Sequence, residues 1–432
     1  MHRAAVWKTR WTRQRASARS YWVSIVMDEA LLLRPQRSLF ENEEPALGLD
    51  EYQILTTQTD RNPATGIDGL GFVMLGLFGE VGSLLSELKK KQRDKDAYPA
   101  YHESVIEELG DTLWYFANAA LRGGLRLSVI AQRVPATLDD WDYRGRPGAL
   151  TFKDLQLPKE SLPGPITGDL VEHRLLTLAG KVGGLLDDWS SGRIHSNRDV
   201  LSADLVEIFR ALLAAADDAQ VSLDDAAHRN VAKTLGRWPV TLDWGPLFDD
   251  NFPLEEQIPR KFTITFKERQ IGDCQYVVQQ LNGVNIGDRL TDNRLKADDY
   301  RFHDVFHLAY AAILGWSPCL RSLLKVKRKS RPEIDENEDG ARAGIIEEGI
   351  STWIFNHGVR NAEFRNVKSL DYSVLKAVRE LVRGYEVEDR PLWQWEKAIL
   401  EGFRVFRLLR QHRGGAVTVD LHQRRLDFEP IE

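Results

Sequence analysis

Apolar positions recur at helical spacing through most of the first half of the chain and then give way to alternation. From Gly76 to Lys91, Leu77, Val81, Leu84, Leu85 and Leu88 make one stripe at the i, i+3, i+4 spacing. From Glu103 to Ala120, Val105, Leu109, Leu113 and Phe116 repeat it. LDEYQILTTQTDR reads as a leading helix that ends near Asn62-Pro63, and GLRLSVIAQR as a short closing helix. A connector containing Pro and Gly follows, and helical patterning resumes around Leu178. After Trp244 the period changes. KFTITFKER alternates, Gly272-Asp273 signals a turn and CQYVVQQLNGV alternates again, which predicts a β-hairpin. AVTVDLHQRRLDFEP alternates around a polar centre near the C-terminus, so one small antiparallel sheet is expected to join the two ends of this region. Between its strands, the stretches 298–316, 341–359 and 374–412 read as helical.

The acids interrupt this pattern in a particular way. Glu80 and Glu87 are seven apart on one face, and Glu108 and Asp111 are three apart on another, with small Gly110 between them. Acids at these spacings also occur on solvated helix faces. Two antiparallel helices, however, would bring the carboxylates together as a hard-oxygen site for Mg2+. The pattern is also duplicated. LAGKVGGLLDDW, from Leu178, lies on LFGEVGSLLSEL, from Leu77, with six of twelve positions identical. Further on, a constant shift of 96 places Asp204 on Glu108 and Glu207 on Asp111. In the second copy Lys181 replaces Glu80 and Gly184 replaces Ser83, so a cation stands where the first acid was.

GEVGSLLSELKK followed by EELGDTLWYFANAA resembles the MazG-like nucleoside triphosphate pyrophosphohydrolases, all-α enzymes with an ExxE helix and an ExxD helix. The resemblance implies a mainly α fold: tandem MazG-like helical-bundle modules, the second degenerate, followed by an α+β C-terminal domain. It implies Mg2+, with Mn2+ as a substitute, and hydrolysis of a nucleoside triphosphate to the monophosphate and pyrophosphate. Glu108 and Asp111 match ExxD and Glu80 the first acid of ExxE, so these three are the expected metal ligands. The second ExxE acid is replaced by Ser83, and either Glu87 or water fills that place. Glu107 is the candidate base, with Glu87 completing the shell or orienting water. Lys89, Lys90 and Lys91 are candidates to meet phosphates, although lysines at a helix C-terminus are also favoured by the macrodipole. Trp114 and Tyr115 are expected in the core. Family members bury their thin helix pairs by dimerising, so either a homodimer or an intrachain pseudo-dimer of the two modules is expected. In the second case repeat two serves as a scaffold and a wall of the base pocket.

Composition narrows the field. At 432 residues the chain has room for several domains, and its net charge of −6 argues against a general nucleic-acid binder. Cys274 and Cys319 make no disulfide framework and suit a reducing cytoplasm. No apolar run is read as membrane-spanning. The first 26 residues, rich in Arg and Trp and without acids, are read as an upstream extension before Met27 and expected to be poorly ordered. The expected domains are the extension 1–48, a first module 49–134, a linker 135–168, a second module 169–240 and a C-terminal domain 250–432. That last domain carries a second candidate metal site, His303, Asp304 and His307 facing Glu347 and Glu348, since IIEEGISTWIF echoes VIEELGDTLWYF. It resembles a domain often found after MazG-like modules. Lys325, Lys327, Arg328, Lys329 and Arg331 form a charged loop that either grips phosphates or pairs with its own acids. No Walker loop, Rossmann fingerprint or GxSxG elbow appears in a supporting context. Two alternatives stay open: a nucleotide sensor with an incomplete acidic set, and a metal-dependent hydrolase working through the His/Glu site.

Overall fold

The computed structural model describes residues 45–134, 150–156 and 168–431, so the expectations for the segment before Met27 and for most of the linker lie outside the described residues. The first repeat contributes α1 (Leu49–Thr59), α2 (Leu70–Asp94), α3 (Tyr101–Arg122) and α4 (Leu127–Ala131). The second contributes α5 (Gly168–Ser190), α6 (Arg193–Ser196), α7 (Arg198–Asp218) and α8 (Leu223–Arg237). Asn197 and Ser222 accept backbone N–H bonds as N-caps of α7 and α8, which is why those helices start where they do.

The apolar stripes are buried almost completely: Leu77, Val81, Leu84, Val105, Leu109, Leu113 and Phe116 all lie inside. Each such side chain contributes roughly 1.5–3 kcal/mol by leaving water. They do not form two separate interiors. A single core runs from Leu47 to Ala227, with α2 packed on α3 and α5, and α3 packed on α8. Phe116 of α3 stacks on Phe209 of α7 at a centroid distance of 5.2 Å. Each repeat therefore supplies the apolar surface that the other lacks. One helix among the described residues, α2 with its flanking turns (Gly66–Ala97), is long and apolar enough to cross a membrane. Its uninterrupted apolar run is nevertheless short, ending at Glu80. Here the helix packs in the bundle.

The C-terminal region has its own core, from Leu247 to Leu426. Its sheet comprises β1 (Lys261–Ile271), β2 (Cys274–Leu281), β3 (Val284–Leu290), β4 (Gly414–Asp420) and β5 (Arg425–Glu429), all antiparallel in the order β3-β2-β1-β4-β5. Ile264 pairs with Val417 where β1 meets β4, so the sheet does join the two ends of the region. The sequence reading missed β3. Asn282 and Gly283 both take positive φ (51° and 80°), the backbone of a tight hairpin turn that returns the chain onto β2. The helices are α9 (Asp304–Leu314), α10 (Pro318–Leu324), α11 (Pro332–Asn337), α12 (Ala341–Arg360), α13 (Tyr372–Leu381) and α14 (Leu392–His412). The stretch 374–412, expected as continuous helix, is broken between Leu381 and Leu392, where Gly384 has φ 83° and Pro391 cannot continue a helix from behind. The protein is thus mainly α with an α+β C-terminal region.

Candidate functional site

Glu80 on α2 and Glu108 and Asp111 on α3 converge, with one carboxylate oxygen from each lying within 4.8 Å of the others. Two facts of chain geometry bring this about. Residues three apart on α3 share a face, and α2 packs alongside α3 so that Glu80 meets that face. Three carboxylates this close resist ionising together. Burial, then Glu80 and Asp111, push Glu108 up to about 8. Burial followed by Asp111 raises Glu80, and burial raises Asp111. A set of hard oxygens that can shed its charge strain only by holding protons or a cation fits a divalent metal.

Asp111 is further held from α8. Asn230 Nδ2 donates to its Oδ1 at 2.8 Å, and Lys233 donates to Oδ2. Burial works against the Lys233 charge, but Asp111 and Glu107 outweigh it and hold the ammonium pKa up. This close approach depends on Gly110: a Cβ there would sit 2.7 Å from the Ala226 carbonyl oxygen. Sequence reasoning missed Asn230 and Lys233. Their three-residue spacing on an amphipathic helix was visible, but nothing in it said which partner α8 would meet.

Beside the acids lies a cavity of about 460 Å³ whose lining includes Glu80, Asp111 and Lys233. Phe72, Trp114, Tyr115, Trp238 and Tyr372 give it aromatic walls, and Arg61 and Arg237 add cations. Trp114 is buried, donating to Thr59 Oγ1 at 2.9 Å, while Tyr115 is half-buried and fills the space above Gly76. Trp114 therefore packs in the interior as expected, whereas Tyr115 lies against the core with part of its surface open, and both border the cavity. The wall from α8 comes from the second repeat, and Tyr372 comes from the C-terminal region.

Other candidates sit elsewhere. Glu87 is not part of the acid group. Seven residues carry it about 10 Å along the axis from Glu80, and it accepts bonds from Tyr98 Oη and Lys90 that hold its carboxyl below the usual range despite burial. Glu107 accepts from Lys233, Lys376 and Tyr372 Oη. Burial opposes its charge, but those cations outweigh it and lower its pKa, which makes it a tie to the C-terminal region and a poor base. Of the three lysines, Lys90 pairs with Glu87, Lys91 donates to the Lys95 carbonyl and Lys89 is exposed; none lines the cavity. The cations that do are Arg61, Lys233 and Arg237. In the second repeat Lys181 Nζ lies 3.1 Å from Glu207, and Asp204, beside Asp188, is pushed up to about 6 chiefly by burial. The acid counterpart of Asp111 is thus spent on an ion pair.

In the C-terminal region the second constellation does assemble. His303, Asp304 and His307 offer atoms within 4.8 Å of one another, and Glu348 faces both histidines. Glu347 plays a different part. Fully buried, it accepts from His307 Nδ1 at 2.8 Å, Ser317 Oγ at 2.6 Å and the Cys319 backbone N–H at 2.7 Å, so it orients His307. Arg328 is also spent, buried in pairs with Asp339 and Glu386.

A mainly helical protein with an acid-lined cavity between duplicated helix pairs, closed by an α+β region, is the class these features define. Residues 243–432 match the family model of the MazG C-terminal domain. A further match covers 91 residues at 37% identity to the Gene 37 protein of Mycobacterium phage L5, taking in 20% of this chain and 80% of that protein. No solved structure matches. The chain belongs to the MazG-like family.

Proposed function

We propose that this protein hydrolyses a nucleoside triphosphate to the monophosphate and pyrophosphate with the help of Mg2+, for which Mn2+ can substitute. The observation that carries the reading is the convergence of Glu80, Glu108 and Asp111 at the edge of a 460 Å³ cavity with aromatic walls and three cations. Glu80, Glu108 and Asp111 would hold the metal. Bound there, the cation would neutralise charge developing on the phosphates. The chain's own residues do the rest. Phe72, Tyr115 and Tyr372 offer ring faces to the base, and Arg61 and Arg237 meet the phosphate chain. Lys233, which borders the same cavity beside Asp111, would be a third positive group for the phosphates. Water adds to one phosphorus of the anhydride, the bond to the bridging oxygen breaks and pyrophosphate leaves. Family membership supports a nucleotide-related role in general, and the cavity chemistry supports this finer form.

The test is a panel of ribo- and deoxyribonucleoside triphosphates assayed for pyrophosphate with Mg2+ and with Mn2+. Asp111→Asn should lower turnover by about 100-fold or more with an unchanged circular dichroism spectrum. Pyrophosphate release at the wild-type rate by Asp111→Asn would remove these acids from the chemistry. Binding without turnover by the wild-type chain would favour a nucleotide sensor, which the Ser83 departure from ExxE allows.

A further inference from the structure

The His/Glu constellation of the C-terminal region gathers two imidazole nitrogens and two carboxylates around one point. His303 Nδ1 lies 2.9 Å from the Tyr300 carbonyl, which can only accept, so that nitrogen donates and Nε2 is the atom left to face the carboxylates. That Nε2 lies 3.1 Å from Asp304 Oδ1 and 3.7 Å from Glu348 Oε2. His307 repeats the arrangement. Its Nδ1 is taken by Glu347, and its fully buried Nε2 makes no hydrogen bond, although Glu348 Oε1 lies 3.4 Å away. His303 Nε2 and His307 Nε2 therefore face the Asp304 and Glu348 carboxylates at one point, where either protons on the rings or a single cation can sit.

The supports hold this set in place. Tyr300 stacks flat on His303 at 4.1 Å, Gln279 of β2 donates to the other Asp304 oxygen, and Ser317 and the Cys319 N–H fix Glu347. A buried carboxylate fixing an imidazole so that the far nitrogen is free is the arrangement that orients metal-bound histidines. The group borders a second cavity of about 460 Å³, into which Lys325 and Lys327 also face without an ion-pair partner among the described residues.

We propose that the C-terminal region is a second, independent metal centre, in which His303 Nε2, His307 Nε2, Asp304 and Glu348 bind one transition-type divalent cation and Lys325 and Lys327 bring a phosphate-bearing ligand to it. Mixed imidazole and carboxylate donors suit Mn2+, Fe2+ or Zn2+ better than Mg2+, whereas the all-oxygen site on α2 and α3 suits Mg2+. The two centres would then differ in metal preference within one chain.

Pulsed EPR on the full-length protein with Mn2+ separates them, because only this centre has nitrogen ligands. Nitrogen-14 coupling from bound imidazole is expected in the wild type and in Asp111→Asn; it should fall from two coupled imidazoles to one in His307→Gln and vanish in the His303→Gln/His307→Gln double variant. Glu348→Gln, at a half-exposed position where folding is not at stake, should weaken Mn2+ binding to this centre by roughly tenfold or more. Inorganic phosphate should add phosphorus-31 coupling that the Lys325→Ala/Lys327→Ala double variant loses. Saturating Mn2+ without nitrogen coupling in the wild type overturns the centre, as does unchanged Mn2+ affinity in Glu348→Gln. Nitrogen coupling without any phosphorus coupling overturns the phosphate half.

Discussion

Glu108 has the most displaced carboxyl of the acid group, pushed up to about 8 by burial and then by Glu80 and Asp111. Its ordinary value is 4.5, so the folded state favours the protonated form. That contribution to stability is complete below the unfolded pKa and is lost as pH rises through the folded one. On the proposed metal assignment, a divalent cation would do the proton's work and would remain in place at higher pH. The gain in Tm with saturating Mg2+ over EDTA should therefore grow between about pH 5 and about pH 8, read by differential scanning calorimetry. In Glu108→Gln, whose amide stands in for the protonated acid, the growth should flatten. A gap that is constant with pH in the wild type would mean that the raised carboxyl and the metal are unconnected. The acids themselves were legible in the sequence, because three-residue spacing on an amphipathic helix dictates a shared face. Lys233 was not, because its role depends on which helix α8 lands against, and periodicity carries no such information.

At the scale of elements, the approach of α8 to α3 is what turns three acids into a lined cavity. Gly110 sets that distance: a Cβ there would meet the Ala226 carbonyl oxygen at 2.7 Å and the Asn230 Cβ at 3.0 Å. Neither atom is the end of a flexible side chain, so the helices must part. Gly110→Val should cost about 1–3 kcal/mol in urea unfolding and draw Asn230 and Lys233 away from Asp111. Gly79, next to Glu80 but with open space around it, is the matched control; Gly79→Ala should stabilise by roughly 0.5–1 kcal/mol. Equal effects of the two changes would show that the helix contact is loose. The same contrast marks how far local pattern reaches. Helix identity followed from apolar spacing in both repeats, and the sheet that ties the C-terminal ends followed from alternation. The third strand and the interruption between Leu381 and Leu392 were harder to see. A two-residue turn and a short irregular link leave little trace beside the longer periodic runs.

The whole molecule joins two cores through a small polar contact. Glu107 of α3 accepts from Lys376 and Tyr372 of α13, and Arg237 of α8 donates to the Leu370 carbonyl at 2.7 Å. Tyr372 does more than tether. Its ring lies under Lys233, 4.4 Å from Nζ to the centroid, and forms part of the cavity wall otherwise built by the two repeats. The duplicated bundle therefore does not enclose its cavity alone, and the C-terminal region completes it. If the ring is the contribution, Tyr372→Phe keeps it and loses only the 2.9 Å bond to Glu107, so KM for the preferred triphosphate should stay near the wild-type value. Tyr372→Ala removes a surface on which a base can stack, an interaction of about 1–3 kcal/mol per base, so KM should rise by roughly tenfold with a smaller change in kcat. Loss of KM in both variants would assign the effect to the hydroxyl and its hold on Glu107. Unchanged kinetics in the alanine variant would mean that Tyr372, although it lines the cavity, stands outside the substrate's reach.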